Sequence, residues 1–390
     1  MKLKIRPIYF LVFLIFLFSC KSETEKIAER TAARNAIIDS IISSFEKDLL
    51  MQQIDSVFSK YDFNGSVLVA KNDEVLYEKA NGFEDFRAKT QLTSNSVFAI
   101  ASISKQFTGV LVLLQEEQGK LSVTDKVSKY LVEFQPKDFE NITIKQLLNH
   151  TSGISDFGKG LLSKPGEKFH YSNKGFRFLG AIIEKVSGKS YDENLKDLFE
   201  KVGMKNTFTP NSFRGTNFAS AFIGNPKKYF EVENMPKRLA ESSISIAAGG
   251  ILSTAQDMNI WNQSLYNGKI LKQASLLAFK SKSADRNHPI LGKMGYGFGI
   301  MMNLEKPNSY FHSGYVKGSP SLNIYYPETK TSVIILSNIA DETLGKAGFF
   351  NPHKSIKRIT DNLQKVVLKK RAEVEKAIFE KNDASYNKEN

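Results

Sequence analysis

The chain has 390 residues, 41% of them hydrophobic and 24% charged, a balance that supports a large core and excludes a chain disordered over most of its length. The formal net charge of +13 would suit an anionic partner, but no Cys/His zinc spacing and no aromatic RNA-binding signature accompanies it. Part of the excess lies in Lys2, Lys4 and Arg6 and in Lys369, Lys370 and Arg371, which reads as a basic face near an anionic membrane, with no nucleic-acid partner.

Met1 to Arg6 is short and cationic, Ile8 to Phe18 is almost wholly apolar, and Ser19-Cys20 follows. The apolar run is short for a membrane span and has the form of a signal peptide. Cys20 is the single cysteine, so an internal disulfide is impossible. Leu17-Phe18-Ser19-Cys20 is similar to a bacterial lipobox, although Phe18 is bulky for its place. We therefore expect residues 1–19 to be a signal peptide and Cys20 to be lipidated, which makes the protein an exported lipoprotein facing the periplasm or the cell surface. A plain signal peptide or an uncleaved anchor is the alternative.

Residues 20–50 read as a tether running into a helix (Ile37, Ile38, Ile41, Ile42), and Met51 to Tyr61 as a second helical pattern. The period then changes. Gly65 to Ala70 and Val75 to Tyr77 are short apolar strands about a turn at Asn72-Asp73, a hairpin closed by Asn81-Gly82. Helical spacing covers Ser104 to Glu117, Ile144 to Leu148, Gly175 to Val186 and Ala255 to Leu265. Strands return at Ser321 to Tyr326 and Ser332 to Leu336, and Lys354 to Lys381 is a basic amphipathic helix. Strands near both ends with helices between them predict an α+β fold, its antiparallel sheet formed by N- and C-terminal segments around a largely helical insert. The catalytic unit is expected at 51–350, with a C-terminal basic helix and tail at 351–390.

A nucleophilic serine needs a base, and in Ser-x-x-Lys a lysine one helical turn away can supply it. The pattern occurs three times, at Ser44/Lys47, Ser102/Lys105 and Ser385/Lys388. Only Ser102 combines apolar flanks, a lysine partner and a helix start. A free lysine stays protonated at neutral pH, with a pKa of about 10.4, so the base needs burial or nearby positive charge. A serine at a helix start is commonly a cap; the same place also aims backbone N–H groups at a developing oxyanion. Tyr171-Ser172-Asn173 is the only Tyr-x-Asn, and His312-Ser313-Gly314 the only His-x-Gly. No Gly-x-Ser-x-Gly elbow, His-Glu-x-x-His or P-loop is present. Gly295-Tyr296-Gly297-Phe298-Gly299 lacks the strand-then-helix context of a nucleotide loop and reads as close backbone packing. His150 has no partner ligands at useful spacing, so no metal is expected.

These ordered motifs, with Phe98 to Gly109, Gln146 to Gly153, Tyr171 to Gly180, Ala248 to Trp261, Tyr296 to Gly299 and His312 to Asn338, resemble the serine β-lactamase and penicillin-binding protein superfamily. The branch is the class C-like one, which holds β-lactamases, D-alanyl-D-alanine carboxypeptidases, D-aminopeptidases and esterases. The resemblance implies the β-lactamase/transpeptidase-like fold and a cofactor-free serine hydrolase. Ser102 would form the acyl-enzyme and Lys105 accept its proton. Tyr171 would relay a proton to the leaving group. Asn173 would bond the substrate's acyl-side amide, His312 and Gly314 would line the substrate site, and the N–H groups of Ser102 and Tyr315 would form the oxyanion hole.

One departure matters. Class C β-lactamases usually open the third motif with lysine, and no Lys-Thr-Gly or Lys-Ser-Gly occurs here. Histidine, of ordinary pKa about 6.5, is mostly neutral at neutral pH, so carboxylate recognition through this motif and β-lactam hydrolysis are both expected to be weak. Three functions remain in view: a hydrolase of amides or esters acting on a peptide, a peptidoglycan fragment or a small molecule; a true class C-like β-lactamase; and a catalytically silent peptidoglycan- or peptide-binding protein.

Overall fold

No glycine or proline interrupts residues 22–61, and the two helical patterns expected there are one helix, α1 (Glu23–Tyr61). The computed structural model describes residues 22–386 apart from 73, 159, 233–234 and 241–244. The expected signal peptide and Cys20 lie outside the described residues. β1 (Gly65–Lys71) and β2 (Glu74–Asn81) follow as an antiparallel pair, with Asn72 at φ 54° in the turn, a conformation that asparagine tolerates.

The main helices of the insert are α2 (Ser104–Glu117), α3 (Ile144–Leu148), α4 (Asn173–Ser187), α5 (Tyr191–Val202), α6 (Ala255–Tyr266) and α7 (Gln273–Lys280). Six strands return: β3 (Ala284–His288), β4 (Gly292–Tyr296), β5 (Met301–Asn303), β6 (Ser309–Val316), β7 (Ser319–Tyr326) and β8 (Thr331–Ser337). Helix α8 (Asn351–Tyr386) ends the described chain. The strands form one sheet in the order β2-β1-β8-β7-β6-β5-β4-β3, antiparallel throughout. The fold is α+β as expected, and it is the N-terminal hairpin that pairs with the last strand.

β7 and β8 are buried along their whole length, because the sheet is covered on both faces. The insert packs on one face, where Leu68, Tyr310, Tyr325, Ile334 and Leu336 share a core with Phe107, Trp261 and Phe279. The Phe107 and Trp261 rings stack at 3.9 Å, and the indole N–H donates to Gln106 Oε1 at 3.0 Å. Against the sheet's other elements, the Tyr77 hydroxyl donates to Asp55 of α1 at 2.8 Å, and the Tyr326 hydroxyl to Asp361 of α8 at 2.7 Å.

Phe45–Lys369 forms one compact unit. The described residues 22–44 and 370–386 group as a second, within which Arg371 Nη1 donates to Asp39 Oδ1 at 2.7 Å and the Arg34 guanidinium sits 4.3 Å over the Phe379 ring.

The glycine-rich stretch acts through close packing. A Cβ on Gly299 would lie 2.4 Å from the backbone oxygen of Lys105, and one on Gly109 2.3 Å from that of Phe298. Gly299 is also left-handed, with φ 79°. Gly299→Ala should therefore destabilise the protein by about 2–4 kcal/mol through strain and overpacking. Denaturant unfolding checks this, and a loss below about 0.5 kcal/mol, the scale of a neutral surface change, would show that the contact gives way.

Candidate active site

Ser102 sits in a single 3-10 turn, Ala101–Ile103, that leads directly into α2. Its side chain does not cap the helix, since the N-terminus of α2 has no side-chain cap bond. The turn is strained and held from several sides. Ala101 has φ 49°, a left-handed backbone that costs a non-glycine residue about 1–2 kcal/mol. The Ile100 oxygen accepts Ser321 Oγ at 2.9 Å, and the Ile100 N–H donates to Ile251 at 3.1 Å. Ser104 Oγ donates to the Ala101 oxygen at 2.7 Å and accepts the Ile251 N–H at 3.1 Å.

Lys105 lies one turn along, fully buried. Its Nζ is 3.3 Å from Ser102 Oγ, 2.7 Å from Asn173 Oδ1 and 2.6 Å from the Ala248 carbonyl oxygen. Asn173 and Ala248 can only accept at these atoms. In the neutral amine they take its two N–H groups and leave the lone pair for the Ser102 hydroxyl proton. Burial lowers the Lys105 pKa, opposed by the adjoining Tyr171 and by Asp156, and assisted by Arg286. The amine also lies 4.8 Å from the Tyr171 ring centroid. The environment thus favours the form that can act as base.

Tyr171 and Asn173 reach the site through α4, whose first turn is anchored by Asp156. That carboxylate accepts the N–H groups of Asn173 (3.1 Å) and Lys174 (2.9 Å), Ser172 Oγ (2.9 Å) and Asn173 Nδ2 (3.2 Å). A carboxylate at a helix N-terminus matches the helix dipole. Asn173 therefore orients Lys105 as well as facing the groove, and one Nδ2 hydrogen remains for a substrate carbonyl.

The third motif lies on β6. β5 pairs with β6 only as far as Phe311, so beyond it β6 pairs with β7 alone and its other edge faces the Ser102 turn. Gly314 is essential to that approach: a Cβ there would meet the Ile100 oxygen and Ser321 Oγ at 2.4 Å and the Ala101 Cβ at 2.9 Å. Its part is packing of the oxyanion edge. The Tyr315 side chain turns away, its ring 4.5 Å from that of Phe349 and its hydroxyl donating to Glu342.

The His312 side chain, expected to line the substrate site, is buried. His312 is 1% exposed, and both ring nitrogens are taken. His150 Nδ1 accepts the Ser172 N–H at 3.1 Å, so its Nε2 proton goes to the Tyr296 hydroxyl, 3.1 Å away. Tyr296 then donates to His312 Nε2 at 3.1 Å, and His312 Nδ1 to the Ser313 oxygen at 2.7 Å. Every proton in this chain has one acceptor when both imidazoles are neutral. Burial pushes both histidines well below the ordinary value, helped by the positive charge of Lys105 and Arg286.

The structure brings Ser102, Lys105, Tyr171 and Asn173 together, and beside them it sets Asp156, the Ala248 carbonyl, Tyr296 and Arg286, which the sequence did not mark for the site. The Arg286 guanidinium lies 4.5 Å over the Tyr171 ring and 5.7 Å from that of Tyr296. None of the four belongs to a spaced pattern; the glycine-flanked Tyr296 alone carried a signal, and that signal concerned packing. Among the described residues no cluster of His, Cys, Asp and Glu could hold a metal ion.

Fold and site together define a serine hydrolase with a lysine base and a tyrosine beside it. The family model described as Beta-lactamase matches residues 51–348. Penicillin-binding protein 4* of Bacillus subtilis (strain 168) is 30% identical over 332 residues, which is 75% of this chain and 72% of that one. The octameric penicillin-binding protein homologue from Pyrococcus abyssi superposes with a TM-score of 0.66 at 25% identity, over 80% of this chain and 79% of that one. The fold is shared too by the D-amino acid amidase from Ochrobactrum anthropi SV3, with a TM-score of 0.67 at 19% identity over 84% and 99%. The chain belongs to the Beta-lactamase family.

Its histidines give a pH test. His150, His288, His312 and His353 are all held below 6.5, burial being the first cause, with His288 at about 4 and His353 at about 3. The unfolded chain takes up these protons near pH 6.5 and the folded chain does not. The histidine contribution to stability should therefore be level above about pH 7 and fall from about pH 6.5 towards 4, each ring contributing about 1.4 kcal/mol per pH unit. Denaturant midpoints across that range measure it, and a flat profile between pH 6.5 and 4.5 would refute it.

Proposed function

We propose that the protein is an exported, lipid-anchored hydrolase that opens an amide or ester bond in a peptide or peptidoglycan-type substrate through an acyl-enzyme on Ser102. The observation that carries the chemistry is the buried Lys105 amine, 3.3 Å from Ser102 Oγ and held by two acceptors. Ser102 Oγ attacks the carbonyl carbon while Lys105 takes its proton. Backbone N–H groups at the helix start and on β6 stabilise the oxyanion. Tyr171, beside Lys105, passes a proton to the departing group, and the reverse path activates water for deacylation. Likeness to penicillin-binding proteins supports a peptide-type substrate, and likeness of fold to a D-amino acid amidase is compatible with D-residues.

Two rivals meet specific observations. A silent binding protein has no need of a buried lysine poised on a serine. A dedicated β-lactamase of this branch uses a cation where His312 is neutral and buried.

Intact mass after treatment with a fluorophosphonate or labelled penicillin should show one adduct on Ser102, absent from Ser102→Ala, with Tyr171→Phe slowing turnover about 10²–10⁴-fold. A panel of D-amino amides, D-Ala-D-Ala peptides, p-nitrophenyl esters and nitrocefin then ranks substrates. No adduct with either probe, while Ser102→Ala still binds ligand, would establish the binding protein; nitrocefin turnover at the rate of a dedicated β-lactamase would establish that enzyme.

Anchoring has its own test. In a lipoprotein-processing host the full chain should partition with membranes, and Cys20→Ser should move it to the soluble fraction. Unchanged partitioning of that variant would remove lipidation from the reading.

A further inference from the structure

A cavity of about 240 Å³ lies where the end of α1 meets the first turn of α8. None of the active-site residues lines it. Its walls are aromatic, from Tyr61, Phe63 and Phe349, and two of them are wedged in place. Phe63 meets Phe58 edge-on at 5.1 Å and the His353 ring at 5.7 Å. Phe349 lies 4.5 Å from the Tyr315 ring and 5.3 Å from that of Phe350. The cavity is thus formed before any ligand enters, which lowers the cost of binding.

His353 also lines it, at 1% exposure. Its Nε2 lies 3.2 Å from the Pro320 carbonyl oxygen, which can only accept, so Nε2 carries a proton. Burial holds the ring's pKa at about 3, and the imidazole is neutral. Nδ1 is left with a lone pair that has no partner among the described residues. An unpaired buried acceptor is costly and calls for a donor.

Two carboxylates border the same space. Asp341 accepts from neutral groups, the Thr343 N–H at 3.1 Å, the Thr343 hydroxyl, and Asn225 Nδ2 at 3.4 Å. Asp62 has Lys227 at 3.7 Å, a lysine that is 86% exposed. Among the described residues no lysine or arginine lines the cavity. The charge here is negative on a chain of formal net charge +13, so attraction of a cation is local to this place. A metal ion is a poor occupant, since among the described residues no cluster of His, Cys, Asp and Glu could hold one. A cation that spans separated acceptors is required. An ammonium group on a short apolar stem has that form: it donates and does not accept, and aromatic faces attract it.

We propose that the cavity binds a small aliphatic amine, its stem against Tyr61, Phe63 and Phe349 and its N–H groups shared among Asp341, Asp62 and His353 Nδ1. A neutral alcohol serves His353 but leaves the carboxylates unmatched, and an anion is repelled by both. The site is separate from the Ser102 chemistry and does not depend on it.

The probe is 1,4-diaminobutane, titrated by calorimetry into the full-length protein, with 1,4-butanediol as the uncharged match. The diamine should bind at one saturable site, and the diol about 10- to 100-fold more weakly. Asp341→Asn keeps the shape and removes the charge, and it should weaken the diamine by the same factor; Asp62→Asn, at the exposed rim, should weaken it less. His353→Phe keeps a ring and removes the lone pair, and should weaken both ligands. Circular dichroism shows whether that variant is folded, and the two carboxylate variants decide the matter if it is not. Ser102→Ala should bind the diamine as the wild type does. Absence of saturable binding, equal affinity for diamine and diol, or affinity unchanged in Asp341→Asn would overturn the proposal. So would loss of binding in Ser102→Ala, which would place the amine in the catalytic groove, or saturation by calcium chloride in place of the diamine, which would make the cavity a metal site.

Discussion

The burial of one lysine amine sets the terms for the rest of this structure. An ammonium ion removed from water is strongly disfavoured unless every proton finds an acceptor. Lys105 resolves this by giving up its charge: as a neutral amine it donates to two strong acceptors and turns its lone pair to the Ser102 hydroxyl. Each of the strong acceptors must come from elsewhere in the chain. Ala248 belongs to the short helix Ile246–Gly249, and Asn173 opens α4. The site is therefore assembled by the helical insert folding back on its own first helix, and it cannot form from the Ser-x-x-Lys segment alone. The same pattern at Ser44/Lys47 lacks these acceptors, Lys47 pairing instead with Glu74.

The nucleophile's strain has the same logic. A left-handed Ala101 persists only where surrounding contacts over-determine it. Ser321 on β7, Ile251 beyond Ala248 and the side-chain-free Gly314 on β6 all press on the same turn. The sheet thus has two duties: its covered faces supply the core, and the free edge of β6 supplies a rigid backbone against which Ser102 is set. Such an edge carries unpaired peptide groups, which suits a site that must engage a carbonyl oxygen.

What could be read from residues alone follows from how local each signal is. The hairpin at residues 65–81, the helix from Ser104 and the terminal strands were legible because period and turn chemistry are written in neighbouring residues. The strand Ala284–His288 was not, since Ala-Asp-Arg-Asn-His has no apolar alternation and is set by pairing with β4. The division of residues 20–50 and Met51 to Tyr61 into two helical patterns followed a shift of amphipathic phase, and nothing in that segment stops a helix. Within the site, Ser102, Lys105, Tyr171 and Asn173 stood out by spacing and order. Asp156 and Arg286 did not, because a single carboxylate in a loop and a single guanidinium in a strand gain meaning only from what the fold lays beside them. The fate of His312 was half legible: its neutrality followed from its chemistry, while its withdrawal behind Tyr296 required coordinates.

That withdrawal separates two functions that a lysine in the same place would combine. A lysine opening the third motif adds positive potential at the base and offers a contact to substrate. Here the position is filled by a neutral imidazole, locked into a hydrogen-bonded chain from His150 to Ser313. The chain fixes the tautomer of each ring and ties the loop at His150 to strands β4 and β6, so its contribution is rigidity. Positive potential comes instead from Arg286, which lowers the proton affinity of Lys105 from a hairpin outside the motifs. A charge carried on a hairpin can change with that hairpin while Ser102, Lys105 and Tyr171 stay as they are. The physical consequence is a serine–lysine pair set by the contacts of one buried amine to Asn173 and Ala248, beside a cation that none of the spaced motifs contains.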